Sequence, residues 1–344
     1  MDIDGIGEFS LIAGIRRRME GRYPPEVALG IGDDCAVLRP QADMEWVITT
    51  DTQVEDVHFR RAWLTPHQIG WRAVAVNLSD LAAMGAQPFA ALAAFVLPAA
   101  TEETFFERLL DGVCELGLRF GCPLVGGNLA RDPAHLSLTF TLLGRVPRGK
   151  AVLRSGARAG DEIWVSGRLG GSAAGLQTFL QPIPLIDTLG AILRLRYAQP
   201  QPRVHEALFL RASEQLTSMI DLSDGLAGDL GHICDESGVG AQIAAEALPL
   251  EPGVREVAAA LGKDPLEYAL RGGEDFELCC TAAPGALAPK QGEFRTRFGI
   301  DLTRIGVITA ERALQLVRAD GSHTPLSPQG FDHFSGPPPN VVMS

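Results

Sequence analysis

Five short motifs rich in aspartate are spread over both halves of this 344-residue chain. In chain order they read GIGDD (30–34), TTDT (49–52), NLSD (77–80), DLSDG (221–225) and GGED (272–275). Several follow an apolar run, so we expect their carboxylates where strands end. Carboxylates that lie together repel one another and raise one another's pKa values, unless divalent cations lie among them. Mg²⁺ is usually held by a few carboxylates together with substrate phosphates, and the motifs therefore predict a magnesium-dependent enzyme that acts on phosphates.

The charge balance narrows the range of partners. The formal net charge is −12 at pH 7, so the chain has no basic field that would attract a nucleic-acid backbone, and we expect no nucleic-acid partner. A hydrophobic content of 46% and a charged content of 21% are ordinary for a globular protein. The length is sufficient for two domains that each bury a core.

Targeting and membrane signals are missing from the sequence. The first 18 residues carry acidic side chains and no apolar core region, which is unlike a signal peptide. The longest apolar run, 89–100, is shorter than the roughly 20 residues of a membrane helix and includes Pro98, so we expect a buried strand and no membrane partner. The six cysteines form no C-x-x-C pair, and Cys279 and Cys280 lie in an apolar run. This pattern predicts reduced cysteines in a cytoplasmic protein.

The spacing of apolar residues predicts an α+β fold. In the first half we expect strands at 45–49, 89–97 and 135–143, a helix at 101–119, and a helix at 71–84 that the NLSD motif interrupts. In the second half we expect helices at 172–180, 203–213 and 224–234, strands at 162–165, 241–244, 276–280, 302–308 and 314–317, and a hairpin turn at Asp320-Gly321. The chain is thus predicted to form two α/β-type domains with mixed or antiparallel sheets, residues 1–146 and 147–344.

The usual phosphate-binding signatures are missing. There is no G-x-x-x-x-G-K-[S/T] loop, no H-R-D or D-F-G motif and no G-x-S-x-G elbow. The segment that begins at Gly30 starts like a dinucleotide fingerprint, but Cys35 occupies the third glycine position. We therefore expect phosphate binding without a P-loop.

The five motifs in this order closely resemble the thiamine-monophosphate kinase family. The matching segments are GIGDDCAVL (30–38), TTDTQVEDVHF (49–59), AVNLSDLAAMGA (75–86), IDLSDGL (220–226) and GGEDFEL (272–278), and the resemblance extends from 7 to 334. The family is part of a superfamily, with phosphoribosyl-formylglycinamidine cyclo-ligase and selenophosphate synthetase, that uses ATP without a P-loop. The resemblance implies ATP-dependent phosphorylation of thiamine monophosphate to thiamine diphosphate with Mg²⁺, in a homodimer built through the N-terminal domains.

The resemblance also implies three groups of site residues. The metal ligands are oxygen donors: Asp34, Thr49, Thr50, Asp51, Asp80, Asn128, Asp221 and Asp224. The nucleotide contacts are Gly126, Gly127, Arg154 and Ser223, and the substrate contacts are His58, Glu274 and Phe331. Each has an ordinary alternative: an aspartate can cap a helix or close a turn, Arg154 can be a solvated charge, and His58 and Phe331 can be packing residues.

The resemblance fits a direct in-line transfer. The terminal phosphate of thiamine monophosphate is largely ionised at neutral pH, because the second pKa of such a phosphate is about 6. Its oxygen can attack the γ-phosphorus of ATP without a covalent protein nucleophile, so we expect none. Catalysis would then come from positioning and from cations that offset the charge of the two anionic reactants.

One position departs from the family pattern. The family usually has Gly-Gly-Asp-Thr where this chain has Gly126-Gly127-Asn128-Leu129. Asparagine keeps a carbonyl oxygen but lacks the negative charge of aspartate, which predicts weaker binding of one metal ion. Two alternatives stay open: another ATP-using enzyme of the superfamily, and a catalytically weakened sensor that binds ATP or thiamine phosphates. Asn128 alone favours the sensor.

Overall fold

The chain forms two compact units. The computed structural model describes residues 8–29, 31, 37–39 and 42–327. The first unit comprises residues up to Leu81 together with Ala86–Lys150, and the second comprises Ala82–Gly85 together with the chain from Ala151 onward. Two of the predicted site residues, Asp34 and Phe331, lie outside the described residues.

The first unit is built on a four-stranded sheet. Its elements are α1 (Glu8–Met19), β1 (Val27–Leu29), β2 (Val37–Leu38), β3 (Met44–Val54), α2 (Pro66–Ala83), β4 (Gln87–Pro98), α3 (Glu103–Arg119), β5 (Leu124–Asp132) and β6 (Ser137–Pro147). The strand order is β3-β6-β4-β5, and β1 and β2 form a separate two-stranded ribbon. In the sheet β4 and β5 run parallel, whereas the other neighbours are antiparallel.

The core of the first unit lies between this sheet and α3. The apolar face of α3, including Phe106, Leu109 and Val113, is buried. Phe95 of β4 makes edge-on ring contacts with Phe106 and with Phe140 of β6, at centroid distances of 5.6 and 5.7 Å. These contacts bury large apolar areas in specific geometries, and they fix α3 against the two central strands.

The second unit is built on a seven-stranded sheet. Its elements are β7 (Glu162–Ser166), α4 (Gly171–Leu180), α5 (Asp187–Ala198), α6 (Val204–Ala212), β8 (Leu216–Asp221), α7 (Leu226–Ser237), β9 (Gly240–Ala244), α8 (Val254–Ala260), α9 (Pro265–Leu270), β10 (Leu278–Ala282), α10 (Gln291–Phe298), β11 (Leu302–Thr309), β12 (Leu314–Val317) and β13 (His323–Pro325). The strand order is β13-β12-β9-β11-β7-β10-β8. Only the pair β9–β12 is parallel among these described strands.

The core of the second unit lies between the sheet and α7. Apolar residues of β7, β8 and β10, such as Ile163, Ile220 and Cys279, pack with Leu226 and Leu230 of α7. The expectation that Cys279 and Cys280 are core residues is confirmed, since both are fully buried. All five cysteines in the described part of the chain are free thiols.

The predicted fold class is confirmed: both units are of α/β type, with mixed sheets. Most predicted elements are present, including the hairpin whose turn contains Asp320-Gly321, between β12 and β13. Several elements were not predicted, namely the helices α1, α5, α8, α9 and α10 and the strands β1, β2, β5 and β8. Within the described residues, no helix combines the length and the hydropathy that crossing a bilayer requires.

Two expectations about the motifs were wrong. The segment Thr49-Thr50-Asp51 does not form a loop after a strand but lies in the middle of β3, paired with Leu142, Thr141 and Phe140 of β6. The NLSD motif does not interrupt a helix, because α2 is continuous from Pro66 to Ala83. Threonine, which is β-branched, is favoured in paired strands. In α2 the Asn77 side chain is compatible with a helix because its Nδ2 atom donates a hydrogen bond to the Ala73 carbonyl one turn earlier.

Candidate active site

One face of β3 points toward α2. The Thr49 hydroxyl donates a hydrogen bond to the Asp80 carboxylate of α2 at 2.5 Å. Gln53 lies four residues further along β3, on the same face, and its buried side chain accepts a hydrogen bond from the Arg72 guanidinium of α2 at 3.1 Å. Successive side chains of a strand alternate between its two faces, so Asp51 shares this face with Thr49. The structure therefore brings Thr49 and Asp51 to the α2 side of the sheet and joins Thr49 to Asp80.

The opposite face of β3 carries Thr50. Its hydroxyl donates to the Phe140 carbonyl at 3.0 Å and accepts from the Thr141 hydroxyl at 3.1 Å, both on β6. Trp46 and Ile48 lie on the same strand face and are exposed. The hydroxyl of Thr50 is thus separated from Thr49 and Asp51 by the thickness of the sheet.

The predicted nucleotide residues of the first unit lie in β5. Gly127 is paired with Ala93 of β4, and Asn128 with Ala94. A Cβ atom on Gly127 would lie 2.0 Å from the Ala93 carbonyl oxygen, whereas one on Gly126 would meet only the end of the Leu92 side chain, at 3.1 Å. Glycine at 127 is therefore required by the pairing of two strands, whatever it contacts in a complex. The side chain of Asn128 is exposed, so a bound molecule or ion could reach it without any change of the strand.

His58 follows β3 in a turn. Its Nδ1 atom accepts a hydrogen bond from the Val54 backbone N–H at 3.0 Å. In the neutral ring this bond places the proton on Nε2. The half-buried side chain thus has the fixed orientation of a packed histidine.

In the second unit the DLSDG and GGEDFEL motifs lie side by side. The Glu274 N–H donates to the Ser223 carbonyl at 2.8 Å, and the Phe276 N–H donates to the Leu222 carbonyl at 2.9 Å. In return the Leu222 N–H donates to the Glu277 carbonyl at 2.8 Å. Segments almost 50 residues apart in the chain therefore share one backbone hydrogen-bond network, and this joins Ser223 to Glu274.

Asp221 and Asp224 flank the end of β8. Asp221 is the last residue of the strand and is buried, as the sequence predicted for this motif. α7 begins after Gly225, so Asp224 is not its capping residue and that alternative is not met. The Asp224 N–H instead donates to the carboxylate of Asp229 at 3.1 Å.

Asp229 was not predicted as a site residue. Burial raises the pKa of its carboxyl to about 8, and the negative charges of Asp221 and Asp224 add to this shift. The sequence signal was an acidic residue in the first turn of the helix that follows the DLSDG motif. The Asp229 carboxylate holds the loop in place, because it accepts a hydrogen bond from the backbone N–H of Asp224, a predicted metal ligand.

The donor chemistry fits Mg²⁺. In the second unit the negative charges of Asp221 and Asp224 disfavour the ionisation of Asp229, and a cation would relieve that repulsion. Within the described residues, no group of three or more histidine, cysteine, aspartate and glutamate side chains forms a cage for a metal ion. Mg²⁺ does not require one, since it is usually held by one or two carboxylates with waters and substrate phosphates.

Glu277, also not predicted, is a buried charge with several partners. Its carboxylate accepts from the Arg203 guanidinium at 2.8 and 2.5 Å and from the Ser166 hydroxyl at 2.5 Å. Burial alone would lower the pKa of Arg203, but the Glu277 carboxylate outweighs burial and the pKa is raised. Arg203 therefore stays charged, and the pair fixes the start of β10 to the end of β7.

Arg154 lies on the surface beside β8. Its neighbour Leu153 accepts a backbone hydrogen bond from Met219 of that strand, two residues before Asp221. The Arg154 side chain is exposed, which agrees with a solvated charge and equally with a side chain that meets a phosphate at the surface.

Sequence models of AIR synthase related proteins match the chain in both units. The model of the N-terminal domain matches residues 32–146, and that of the C-terminal domain matches residues 158–318. Fold and matches together define a two-domain protein of the AIR-synthase-related class.

Relatives within this class share most of the chain. Thiamine-monophosphate kinase of Escherichia coli O157:H7 is 40% identical over 337 residues, which cover 96% of this chain and 99% of that protein. The crystal structure of thiamine-monophosphate kinase from Stenotrophomonas maltophilia K279a superposes with a TM-score of 0.81 at 40% identity, over 93% of this chain and 98% of that one. The structure of AaThiL complexed with AMPPCP and TMP superposes with a TM-score of 0.75 at 33% identity, over 97% and 99%. The chain belongs to the thiamine-monophosphate kinase family.

Proposed function

We propose that this protein transfers the γ-phosphoryl group of ATP to thiamine monophosphate and so forms thiamine diphosphate. The observation that carries the proposal is the match to thiamine-monophosphate kinases over nearly the whole of both chains. One relative of known structure is described as a complex with AMPPCP and TMP, an ATP analogue and the acceptor. The motif residues fit this reaction because they supply oxygen donors and no covalent nucleophile.

The proposed site residues form two groups, one for each substrate. Gly126, Gly127, Arg154 and Ser223 contact the nucleotide, and His58, Glu274 and Phe331 contact the thiamine monophosphate. Arginine can bind a phosphate through paired donors, and the positive thiazolium ring favours an aromatic face or a carboxylate. The Val54 N–H holds the His58 ring at Nδ1, which fixes the orientation in which His58 would meet the substrate.

Mg²⁺ completes the proposed site. Its ligands would be Asp34, Asp80, Asp221 and Asp224, with Thr49 and Asp51 on one face of the sheet. Asn128 would be a ligand on the other face, because the pairing Asn128–Ala94–Thr139–Thr52 puts it on the side of the sheet that carries the Thr50 hydroxyl. The bound cation would supply charge neutralisation for the phosphates of both reactants. The protein's own contribution is to hold these oxygen donors in place and to orient the acceptor phosphate toward ATP.

We also propose the assembly and the division of the chain. Trp46 and Ile48 of β3 and Leu92 of β4 form an exposed apolar sheet face, which a second copy of the chain would cover in a homodimer through the N-terminal domains. Residues 1–146 would carry that interface and most metal ligands, and residues 147–344 the loops around Ser223 and Glu274. An ATP-consuming enzyme with free thiols fits the reducing cytoplasm.

The test is phosphoryl transfer from ATP to thiamine monophosphate at saturating Mg²⁺, with the product followed by chromatography. Thiamine serves as the acceptor control, and we expect product only from the monophosphate. Asp51→Asn should lower turnover at least 100-fold, because it removes a ligand charge. The matched control is Asp56→Asn, since Asp56 is exposed and asparagine tolerates its positive φ of 64°.

The sensor is the second candidate, and Asn128 is the observation that favours it. Binding of ATP and thiamine monophosphate without any turnover would support the sensor and exclude the kinase. Turnover with a different phosphorylated or carboxylated acceptor would instead indicate another enzyme of the superfamily.

A further inference from the structure

We propose that Asp275 and Glu277 are positioning residues, which hold the backbone around Glu274 so that its side chain is set for the thiamine monophosphate. The inference rests on the proposed function, because that function makes Glu274 a substrate contact. It goes further by assigning roles to two neighbouring carboxylates that do not themselves contact the substrate.

The backbone at Glu274 adopts a conformation that needs support. Glu274 has a φ of +69° and Phe276 a φ of +49°, and side-chain-bearing residues rarely occupy this left-handed region. Such conformations persist only where the surrounding structure fixes them. Two backbone hydrogen bonds to Leu222 and Ser223 provide part of that support.

Asp275 fixes the segment to α4. Its carboxylate accepts hydrogen bonds from the N–H groups of Gly170 and Ser172, at 2.6 and 3.2 Å. These are donors at the start of α4, where a helix leaves its first N–H groups unpaired and favours negative charge. The carboxylate is thus committed to the start of the helix, and this holds the backbone of the residue before it, Glu274.

Glu277 fixes the other end of the segment. It is 1% exposed and binds Arg203 and Ser166. A Cβ atom on Gly167 would lie 2.3 Å from its Oε1 atom, so this carboxylate is enclosed by backbone on that side. Together the two carboxylates tie the segment to β7, α4 and α6.

The segment has little room to relax. A Cβ atom on Gly273 would lie 2.5 Å from the Ser223 carbonyl oxygen, and one on Gly272 would lie 2.2 Å from the Tyr268 carbonyl oxygen. A side chain held within such an enclosed frame keeps the fixed geometry that a binding residue needs. Loss of an anchor should therefore act on the substrate that Glu274 contacts more strongly than on ATP.

The experiment compares Asp275→Ala with a control variant that loses a carboxylate at the start of a different helix. Asp264→Ala is the control, because Asp264 is exposed and accepts from the Leu266 N–H at 2.9 Å at the start of α9, away from this segment. We expect Asp275→Ala to raise the KM for thiamine monophosphate at least 10-fold and to change the KM for ATP less than twofold. Asp264→Ala should leave both constants within twofold, and Asp275→Asn, which retains one acceptor oxygen, should restore part of the loss.

A second readout does not depend on turnover. Amide hydrogen exchange of residues 272–277 should accelerate at least 10-fold in Asp275→Asn and in Glu277→Gln, and stay at the wild-type rate in Asp264→Ala. The exchange measurement still tests the positioning role if Asp275→Ala does not fold, because it uses the milder substitutions. Equal effects on both substrates, or wild-type exchange in the anchor variants, would overturn the positioning role. Lack of wild-type turnover would overturn the proposed function alone, since the exchange rates still decide whether the carboxylates hold the segment.

Discussion

Asn128 is the position at which the resemblance predicts an aspartate ligand for a metal ion. It lies exposed on β5, on the sheet face that also carries Thr50. Asn128→Asp restores a negative charge beside the predicted metal, so we expect the half-saturating Mg²⁺ concentration of the kinase reaction to fall several-fold. Asn128→Ala removes the oxygen donor and should raise that concentration. A series in which all three proteins have the same Mg²⁺ dependence would exclude residue 128 as a ligand.

Asp275 gives a pH dependence with a defined sign. Burial raises its pKa to about 7, although the N–H groups of Gly170 and Ser172 act in the opposite direction. An unfolded aspartate releases its proton near pH 4, so between about pH 4 and 7 the folded protein binds the proton more tightly than the unfolded one. The free energy of unfolding therefore falls as pH rises through this window, by at most about 4 kcal/mol from this group.

Asp275→Asn removes the titrating group and should flatten that slope. The measurement is urea denaturation between pH 5 and 8 in EDTA, with the change in free energy compared between variant and wild type. Asp264→Asn is the control, because its exposed side chain should leave the slope unchanged. A variant with the wild-type slope would contradict the assignment.

Sequence reasoning named its candidate site residues through their motifs, but it missed residues that hold these motifs in place. Asp229 is a single acidic residue in a helix, and only the fold brings it to Asp221 and Asp224. Arg203 lies more than 70 residues from Glu277, and no local pattern links a buried charge to so distant a partner. Thr50 was named because it lies in a motif, but the alternation of side chains along β3 places its hydroxyl on the opposite face from Thr49 and Asp51.

At the scale of elements, the parallel pair β4–β5 depends on Gly127. A methyl group there would lie 2.0 Å from the Ala93 carbonyl oxygen, so the strands must separate. We expect Gly127→Ala to lower the free energy of unfolding by about 2 kcal/mol or more, as overpacking commonly does. Gly126→Ala should cost about 1 kcal/mol or less, because the nearest atom is the flexible end of Leu92.

Urea denaturation of the two glycine variants measures this difference. Equal stability would mean that the backbone yields easily at 127. Gly126→Ala has a second use, because a folded variant with a raised KM for ATP would separate nucleotide contact from strand pairing.

Element boundaries were predictable where periodicity was strong. Helix α3 was recovered because its apolar residues recur at helical spacing, and strand β4 because it is a continuous apolar run too short for a membrane helix. The Thr49-Thr50-Asp51 segment was assigned to a loop, since its polarity hid a strand that β6 pairs along its whole length. The short helices α8 and α9, of seven and six residues, offer too few turns to show a period.

At the scale of the whole molecule, the exposed apolar sheet face predicts the assembly. Ile48 is 61% exposed, and burying such a side chain against a second copy would stabilise the dimer by about 1.5–3 kcal/mol per chain. Ile48→Lys places a charge there, so we expect the sedimentation coefficient to change from that of a dimer to that of a monomer at micromolar concentration.

Ile186→Lys is the matched control. Ile186 is 66% exposed but belongs to the second unit, so its substitution should leave the mass unchanged. A wild-type protein that sediments as a monomer, or two variants that behave alike, would contradict the proposed interface. The two-domain α+β organisation was predictable from the alternation of elements, whereas the strand order of the seven-stranded sheet was not, because its neighbours lie far apart in the chain.

The alternation of side chains along β3 has a consequence for how this protein can vary. Inserting or deleting one residue between positions 44 and 48 would exchange the two faces of the strand. Thr50 would then meet Asp80, while Thr49 and Asp51 would point outward, although composition and strand pairing would hardly change. Surface turns such as 133–135 can gain or lose residues at little cost. A single-residue insertion or deletion in β3 should instead be as damaging as the loss of an aspartate ligand.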